Sequence, residues 1–212
     1  MEESFRLSRY ILPTSTPVNH TLRISPRLFA LVPAAVAINL VVGTIVKELS
    51  LPVFLDTVGT VLVAVLAGWR AGALVGTVSQ LLLGLLTGYQ YLPFVVIQWL
   101  LALLASLAGN RRGYAAVWRT VVWGIGAGAC CGAVSSVISY YLFGGITGGG
   151  VSWVVTGLRS LGASQPMAVF AGSSSTDILD KGIVIVVVGF VLRALPRRIL
   201  GRFPMAARAV GK

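Results

Sequence analysis

Four ionisable side chains lie inside long apolar stretches of this 212-residue chain: Asp56, Asp177, Asp180 and Lys181. A charge at the centre of a membrane helix costs about 2.5 to 3.5 kcal/mol on insertion scales, so such groups normally pair, face water or bind something polar. Asp177 and Lys181 are four residues apart, a spacing that places them on one face of a helix. Two compatible interpretations stay open: an ion pair that joins two apolar segments, or a site for a polar ligand.

Amide and aromatic side chains extend this candidate site. Gln80 and Gln98 lie in apolar stretches of their own, while Tyr89, Tyr91 and Trp153 lie in or beside turns. Tyr and Trp can stack on a ring and hydrogen-bond to it, although each alone is more often part of the aromatic belt at a membrane surface. The predicted ligand-binding residues are Asp56, Gln80, Tyr89, Tyr91, Gln98, Trp153, Asp177, Asp180 and Lys181.

Motifs typical of enzymes are missing from the sequence. His20 is the only histidine, which excludes a His-Glu-x-x-His zinc site and disfavours a histidine-based triad. No Gly-x-x-x-x-Gly-Lys-Ser/Thr loop occurs, so we do not expect the chain to hydrolyse ATP itself. Cys130 and Cys131 are adjacent within an apolar run, which supports neither a disulfide framework nor a metal cluster. We therefore expect no catalytic residues, no metal and no cofactor.

The elements that must position these residues are apolar segments. Hydrophobic residues make up 56% of the chain and charged residues 11%, whereas soluble domains carry about 25% charged residues. Six segments are candidates to cross a membrane, and a glycine run at 144–150 precedes a predicted short interfacial helix at 151–161. The six segments lie near 28–46, 53–68, 71–86, 93–108, 115–143 and 165–195. The predicted fold is an all-α integral membrane protein, a compact bundle of six transmembrane helices.

Basic residues gather at one end of these segments. With six crossings, 14 basic residues fall on the side of the two termini, and only Lys47 and Arg159 fall on the other. By the positive-inside rule, both termini are predicted in the cytoplasm and the chain in the plasma membrane. The net charge of +11 then reflects orientation in the lipid bilayer, and nucleic-acid binding is not expected. The predicted divisions are a cytoplasmic arm at 1–26, a six-helix membrane domain at 27–198 and a basic cytoplasmic tail at 199–212.

Small residues recur every four positions, which puts them on one helix face and lets another backbone approach closely. The glycine series are interpreted as packing within the bundle, while the role of the alanine pair stays open. The series are Ala30 and Ala34; Gly68, Gly72 and Gly76; Gly124, Gly128 and Gly132.

Taken together and in order, five motifs resemble the substrate-binding S component of energy-coupling factor (ECF) transporters. The resemblance covers about residues 28–200. The motifs are Ala30-x-x-x-Ala34, Pro52-Val-Phe-Leu-Asp56-Thr57-Val-Gly59-Thr60, Gly72-Ala-Leu-Val-Gly76, Phe143-Gly-Gly-Ile-Thr-Gly-Gly and Asp177-Ile-Leu-Asp180-Lys181.

The resemblance implies a six-helix protein that binds a vitamin or another micronutrient in an outward cavity capped by external loops. It also implies association with a transmembrane coupling subunit and two cytoplasmic ATPase subunits, and transport by toppling of the whole S component in the membrane. Ala30 and Ala34 match the face that contacts the coupling subunit. This chain departs from the family pattern in its long arginine-rich tail, and no residue pattern names the substrate.

The expected function is therefore a membrane-embedded binding subunit without a catalytic step of its own. Its ligand is predicted in the outer half of the bundle, between the second, third, fourth and sixth segments and beneath residues 87–92 and 144–163. Two alternatives stay open: a stand-alone facilitator or channel, and a small membrane enzyme. The enzyme would use Asp56, Asp177 and Asp180 as acid/base groups or as ligands of Mg²⁺ or Mn²⁺.

Overall fold

The structure is a computed structural model that describes residues 26–147 and 150–211, with side chains except at 26–29 and 204. The predicted arm at 1–26 therefore lies almost wholly outside the described residues. In the described part the chain is 82% helical, without strands. In chain order the helices are α1 (Pro26–Glu48), α2 (Val58–Ala67), α3 (Trp69–Thr87), a 3-10 helix (Tyr89–Phe94), α4 (Val95–Asn110), α5 (Val117–Phe143), α6 (Gly150–Ser160), α7 (Gln165–Ala194), α8 (Arg197–Leu200) and α9 (Pro204–Ala209).

Four helical stretches are long and apolar enough to cross a membrane: Ala30–Glu48, Trp69–Thr87, Tyr89–Asn110 and Val117–Phe143. Their outward surfaces carry large apolar side chains, such as Leu85 and Leu86, which are 82% and 74% exposed. Burying such a side chain is worth about 1.5 to 3 kcal/mol relative to water, so this surface suits lipid. The all-helical fold and these spans are those of a membrane helical bundle.

The second apolar segment begins its helix later than the sequence predicted. The predicted segment starts near residue 53, whereas α2 starts at Val58. The cause is local, because the backbone N–H groups of Phe54 and Leu55 donate to the Asp180 carboxylate instead of a helical carbonyl. Leu55 also has a φ of 50°, which no α-helix contains. The residues at 51–57 thus form an irregular entry to α2 at the level of the bundle interior.

Close helix packing depends on glycine at five of the six positions in the two predicted glycine series, whereas Gly68 lies between α2 and α3 with a φ of 98° and makes no such contact. A Cβ on Gly128 would lie 2.5 Å from the Cα of Ile178, and one on Gly132 would lie 2.7 Å from the Cα of Ser174. The helices α5 and α7 therefore touch backbone to backbone along this face. Gly72 serves α2 and α3 in the same way, since its Cβ would lie 2.6 Å from Ala64 Cβ.

The described part of the predicted tail folds back onto the bundle. The helix α9 packs against α2 and α4, and Leu200, Ala206 and Ala209 are at most 2% exposed. These three side chains belong to the main apolar core, together with residues of α2, α4, α5 and α7. The segment at 199–211 therefore closes one end of the bundle while its arginines remain at the rim.

Candidate ligand-binding site

A cavity lies between the irregular entry to α2, the 3-10 helix and helices α3 to α7. It holds about 640 Å³ of empty space, its opening to solvent included. Carboxylates, amides, hydroxyls and one lysine line its wall, and Phe54, Tyr91 and Phe94 add three aromatic rings. Charged and amide side chains thus line a cavity inside an apolar bundle.

Asp177 and Lys181 of α7 line this cavity, and Asp180 lies behind them. The Nζ of Lys181 contacts the Asp180 carboxylate and lies 3.5 Å from Asp177 Oδ1. All three side chains are at most 2% exposed. Asp180 is satisfied further by the backbone N–H groups of Phe54 and Leu55, at 3.0 and 2.7 Å. The carboxylate of Asp180 therefore ties α7 to the entry of α2, which is the structural role that the sequence left open for these charges.

Asp177 faces the cavity and is held from α5. The Ser135 hydroxyl donates a hydrogen bond to the Asp177 carboxylate. A serine side chain is short, so this contact requires the two helix backbones to lie close together. Gly128 and Gly132 allow that approach, and the glycine series on α5 thus sets the position of a cavity carboxylate.

Asp56 lies on the opposite wall, in the turn before α2. It is 7% exposed and lines the cavity. Gly43 of α1 makes room for it, because a Cβ on Gly43 would lie 2.9 Å from Asp56 Cβ. Within residues 26–147 and 150–211, the ion pairs are those of Lys181 with Asp177 and Asp180, and Asp56 is in none of them.

A buried network of amides and hydroxyls holds the wall that contains Asp56. Asn39 of α1 donates from Nδ2 to Thr60 Oγ1 and Ser79 Oγ, both at 3.0 Å, and its Oδ1 accepts from the Gly59 N–H at 2.7 Å. Thr60 Oγ1 then donates to Gln98 Oε1 at 2.7 Å. Four helices are joined by this chain of bonds, and it ends at an amide that lines the cavity.

The network also orients Gln98 toward the entry of α2. With its Oε1 held by Thr60, Gln98 Nε2 donates to the Asp56 carbonyl at 3.3 Å. Gly76 of α3 makes space for Gln98, because a Cβ there would lie 2.5 Å from Gln98 Cβ. The position of Asp56 therefore depends on groups contributed by α1, α2, α3 and α4.

Two polar atoms on the cavity wall have no hydrogen-bond partner. Thr57 Oγ1 and Gln80 Oε1 are both buried and unpaired, and both residues line the cavity. Buried polar groups in proteins are nearly always satisfied, by protein or by ordered water. These two atoms are thus available to whatever occupies the cavity.

Six of the nine predicted binding residues line the cavity, and three do not. Tyr89 and Trp153 are 80% and 73% exposed, and Asp180 lies behind the wall on the entry to α2. Trp153 points away because α6 turns Val151 and Val155 inward, and residues two apart lie on nearly opposite helix faces. The six cavity residues are Asp56, Gln80, Tyr91, Gln98, Asp177 and Lys181.

Several residues of the site were missed by the sequence interpretation. Asn39 is a polar residue in the middle of an apolar helix, and such residues usually mark a packing or functional contact. Asn39 therefore carries the same sequence signal as Gln80 and Gln98. The serines and threonines of the wall had no distinguishing pattern, since hydroxyls are common in apolar helices.

The predicted coupling face on α1 is exposed. Ala30 and Ala34 lie on the outside of the bundle, while Ala35, Val36 and Asn39 on the other face are at most 6% exposed. The alanine pair therefore contributes nothing to the packing of the described bundle, in contrast to the glycine series.

Comparison with models of known families, with curated proteins and with solved structures finds no match to this chain. No three His, Cys, Asp or Glu side chains of the described segments lie close enough together to hold a metal ion. What the cavity offers is hydrogen bonding, ion pairing and ring stacking, which are the means of reversible binding of a small polar molecule.

Proposed function

We propose that this chain is the membrane-embedded substrate-binding subunit of an ECF-type importer. It captures a vitamin or related small micronutrient from outside and delivers it inward with a transmembrane coupling subunit and two cytoplasmic ATPase subunits. The observation that carries the proposal is the cavity inside a membrane-type helical bundle, whose wall includes the charged and amide side chains of Asp56, Gln98, Asp177 and Lys181. Groups of this kind are costly within lipid, and a bound polar molecule accounts for their presence.

The packing beyond the cavity supports a binding protein over a facilitator or channel. From Asp56, Gln98 and Lys181, the helices α2, α4 and α7 all continue in one direction into the main apolar core. Leu101 and Val184 of this core are 0% exposed, and α9 lies across its far end. In the described bundle the cavity is thus closed on the side of the tail, as expected for a subunit that needs partners to release its ligand.

We also propose that the chain crosses the membrane six times, with both termini in the cytoplasm. The helix α7 has 30 residues, which correspond to about 45 Å and exceed the 30 Å hydrocarbon core. The helix α2 has only 10 residues and rises about 15 Å. We propose that the irregular residues at 51–57 complete its crossing, shielded from lipid by the surrounding helices.

The orientation is tested by labelling single cysteines in intact cells, in a background without Cys130 and Cys131. Leu161 is 84% exposed in the turn between α6 and α7, and Arg111 is exposed at the opposite end, after α4. Leu161→Cys is expected to react with a membrane-impermeant maleimide, and Arg111→Cys only after the cells are opened. The reverse pattern would place the cavity opening in the cytoplasm and end the uptake proposal.

The exposed alanine pair on α1 supports a protein partner at that face, because small residues let a partner helix approach closely. The chain also offers a matched control pair: Ala129 and Ala133 on α5 have the same spacing and are likewise exposed. The double variant Ala30→Leu/Ala34→Leu is expected to lose co-purification with the coupling subunit and ATPases. Ala129→Leu/Ala133→Leu is expected to retain it.

Two results would count against the proposed function. Equal assembly of both alanine double variants would show that the coupling face lies elsewhere. Uptake by liposomes that contain this chain alone, without coupling subunit, ATPases or ATP, would favour the facilitator. The binding step is measured separately on the isolated chain, where Ala30→Leu/Ala34→Leu is expected to leave affinity unchanged because neither alanine approaches the cavity.

A further inference from the structure

The charges around the cavity do not balance. Two carboxylates, those of Asp56 and Asp177, line it, and a third, that of Asp180, lies behind its wall, whereas Lys181 is the one cation among the described side chains that line it. Lys47 lies in a smaller neighbouring recess with Asp56, where its Nζ is 5.5 Å from the Tyr91 ring centre. Even with Lys47 included, carboxylates remain in excess among the described side chains.

The excess negative charge is located at the cavity surface. Lys181 contacts Asp180 and is 3.5 Å from Asp177, so one cation is shared by two carboxylates of α7. Asp56 has no ion-pair partner among the described residues. A buried carboxylate is stabilised in its ionised form by a nearby cation. The wall near Asp56 is therefore electrostatically complementary to a positively charged group.

The unpaired polar atoms of the wall show which hydrogen-bonding groups a ligand could satisfy. Gln80 Oε1 is an acceptor without a donor, and Thr57 Oγ1 is a hydroxyl without a partner. They belong to side chains that are 4% and 1% exposed, so bulk water does not satisfy them freely. A ligand with an N–H group would supply the donor that Gln80 Oε1 lacks, whereas the Thr57 hydroxyl can either donate to a ligand or accept from it.

Aromatic rings line the remaining part of the cavity. Phe54, Tyr91 and Phe94 all contribute to its wall. Aromatic faces attract cations, and they also stack on flat rings. No trio of metal-ligating side chains is present in the described segments, which favours an organic cation over a metal ion.

We propose that the cavity binds an organic cation: a flat, N–H-bearing ring system with a protonated amine or similar positive group directed toward Asp56. This inference rests on the proposed function only in requiring that the cavity binds a small molecule. It narrows the substrate class to cations and excludes the carboxylate-bearing micronutrients.

The test uses three probes that share one ring and differ in charge. Tryptamine is a cation at neutral pH, tryptophol is its neutral alcohol, and indole-3-acetate is an anion. Equilibrium dialysis against the full-length chain in lipid nanodiscs, with empty nanodiscs subtracted, gives an affinity for each. Tryptamine is expected to bind at least tenfold more tightly than either of the others. Tighter or equal binding of tryptophol or indole-3-acetate, or no binding of tryptamine, would overturn the inference.

A charge-removing variant tests whether Asp56 causes the preference for tryptamine. Asp56→Asn is expected to reduce the tryptamine advantage at least tenfold, while Glu48→Gln, the same change at an exposed position on α1, is expected to leave it unchanged. Thermal unfolding of each variant shows whether it is folded. Even if Asp56→Asn unfolds, the comparison of the three probes on the native chain shows which ligand charge the cavity prefers.

Failure of this inference is distinguishable from failure of the proposed function. If indole-3-acetate binds best and Gln98→Leu abolishes that binding, the cavity is a binding site of the opposite preference. The function as a binding subunit then stands while the cation assignment falls. If assembly with the coupling subunit fails, the cation preference of the isolated chain is unaffected.

Discussion

Asn39 is expected to be the most sensitive uncharged position in the described bundle. It is 0% exposed, and its Oδ1 accepts from the Gly59 N–H, one of the first N–H groups of α2, which have no acceptor within their own helix. Thr57, at the N-cap of α2, makes no side-chain cap bond. Asn39 therefore caps α2 from a neighbouring helix, in a place where lipid offers no substitute.

The magnitude of its loss follows from these contacts. Asn39→Leu keeps the branched four-atom outline of the side chain but removes both Nδ2 hydrogen bonds, worth about 0.6 kcal/mol each by the average for membrane proteins. It also leaves the buried Gly59 N–H unpaired, at a cost of about 1 to 3 kcal/mol. The expected loss of unfolding free energy is about 2 to 4 kcal/mol.

Equilibrium unfolding in mixed lipid and detergent micelles, with added SDS as denaturant, measures this loss. The control is Asn110→Leu, the same substitution at an exposed position at the end of α4, which is expected to change stability by less than about 0.5 kcal/mol. A double-mutant cycle of Asn39→Leu with Thr60→Val should be non-additive, because the two side chains share a hydrogen bond. Equal stability of Asn39→Leu and Asn110→Leu would refute the capping role.

Two further predictions concern packing and the mouth of the cavity. Gly128→Ala should destabilise the bundle by about 2 kcal/mol, since its Cβ would lie 2.5 Å from the Ile178 Cα. Gly126→Ala, with open space around it, should be neutral or slightly stabilising in the same unfolding assay. Tyr91→Ala should weaken tryptamine binding several-fold, because Tyr91 lines the cavity, whereas Trp153→Ala should not, because its ring is 73% exposed on the outside of α6. Destabilisation by Gly126→Ala, or equal loss of affinity in both aromatic variants, would contradict these assignments.

Much of the helical organisation was predictable from the residues. Long apolar runs interrupted by polar turns specify helices in a membrane protein because the backbone must satisfy its own hydrogen bonds there. The short helix predicted at 151–161 corresponds to α6, and the segment predicted at 165–195 corresponds to α7. The start of α2 was not predictable in this way, because its backbone is held by Asp180, 125 residues further along the chain.

The candidate site was likewise predictable only in part. Charges and amides within apolar segments are rare and costly, so Asp56, Asp177, Lys181 and Gln98 were recognisable from the sequence alone. The direction of each side chain was not, because it depends on helix rotation within the bundle. Trp153 faces outward and Asp180 turns behind the wall for this reason, although both residues belong to segments that reach the cavity.

The sequence by itself determined that the chain forms apolar helices and which side chains are too polar to face lipid. Those properties depend on residue type and on spacing along one segment. Only the tertiary structure decided that Asn39 caps α2, that Ser135 reaches Asp177 across a glycine contact, and that the tail closes the bundle beneath the core. These contacts join residues far apart in the chain, and their existence depends on how closely two backbones approach, a distance that no single segment encodes.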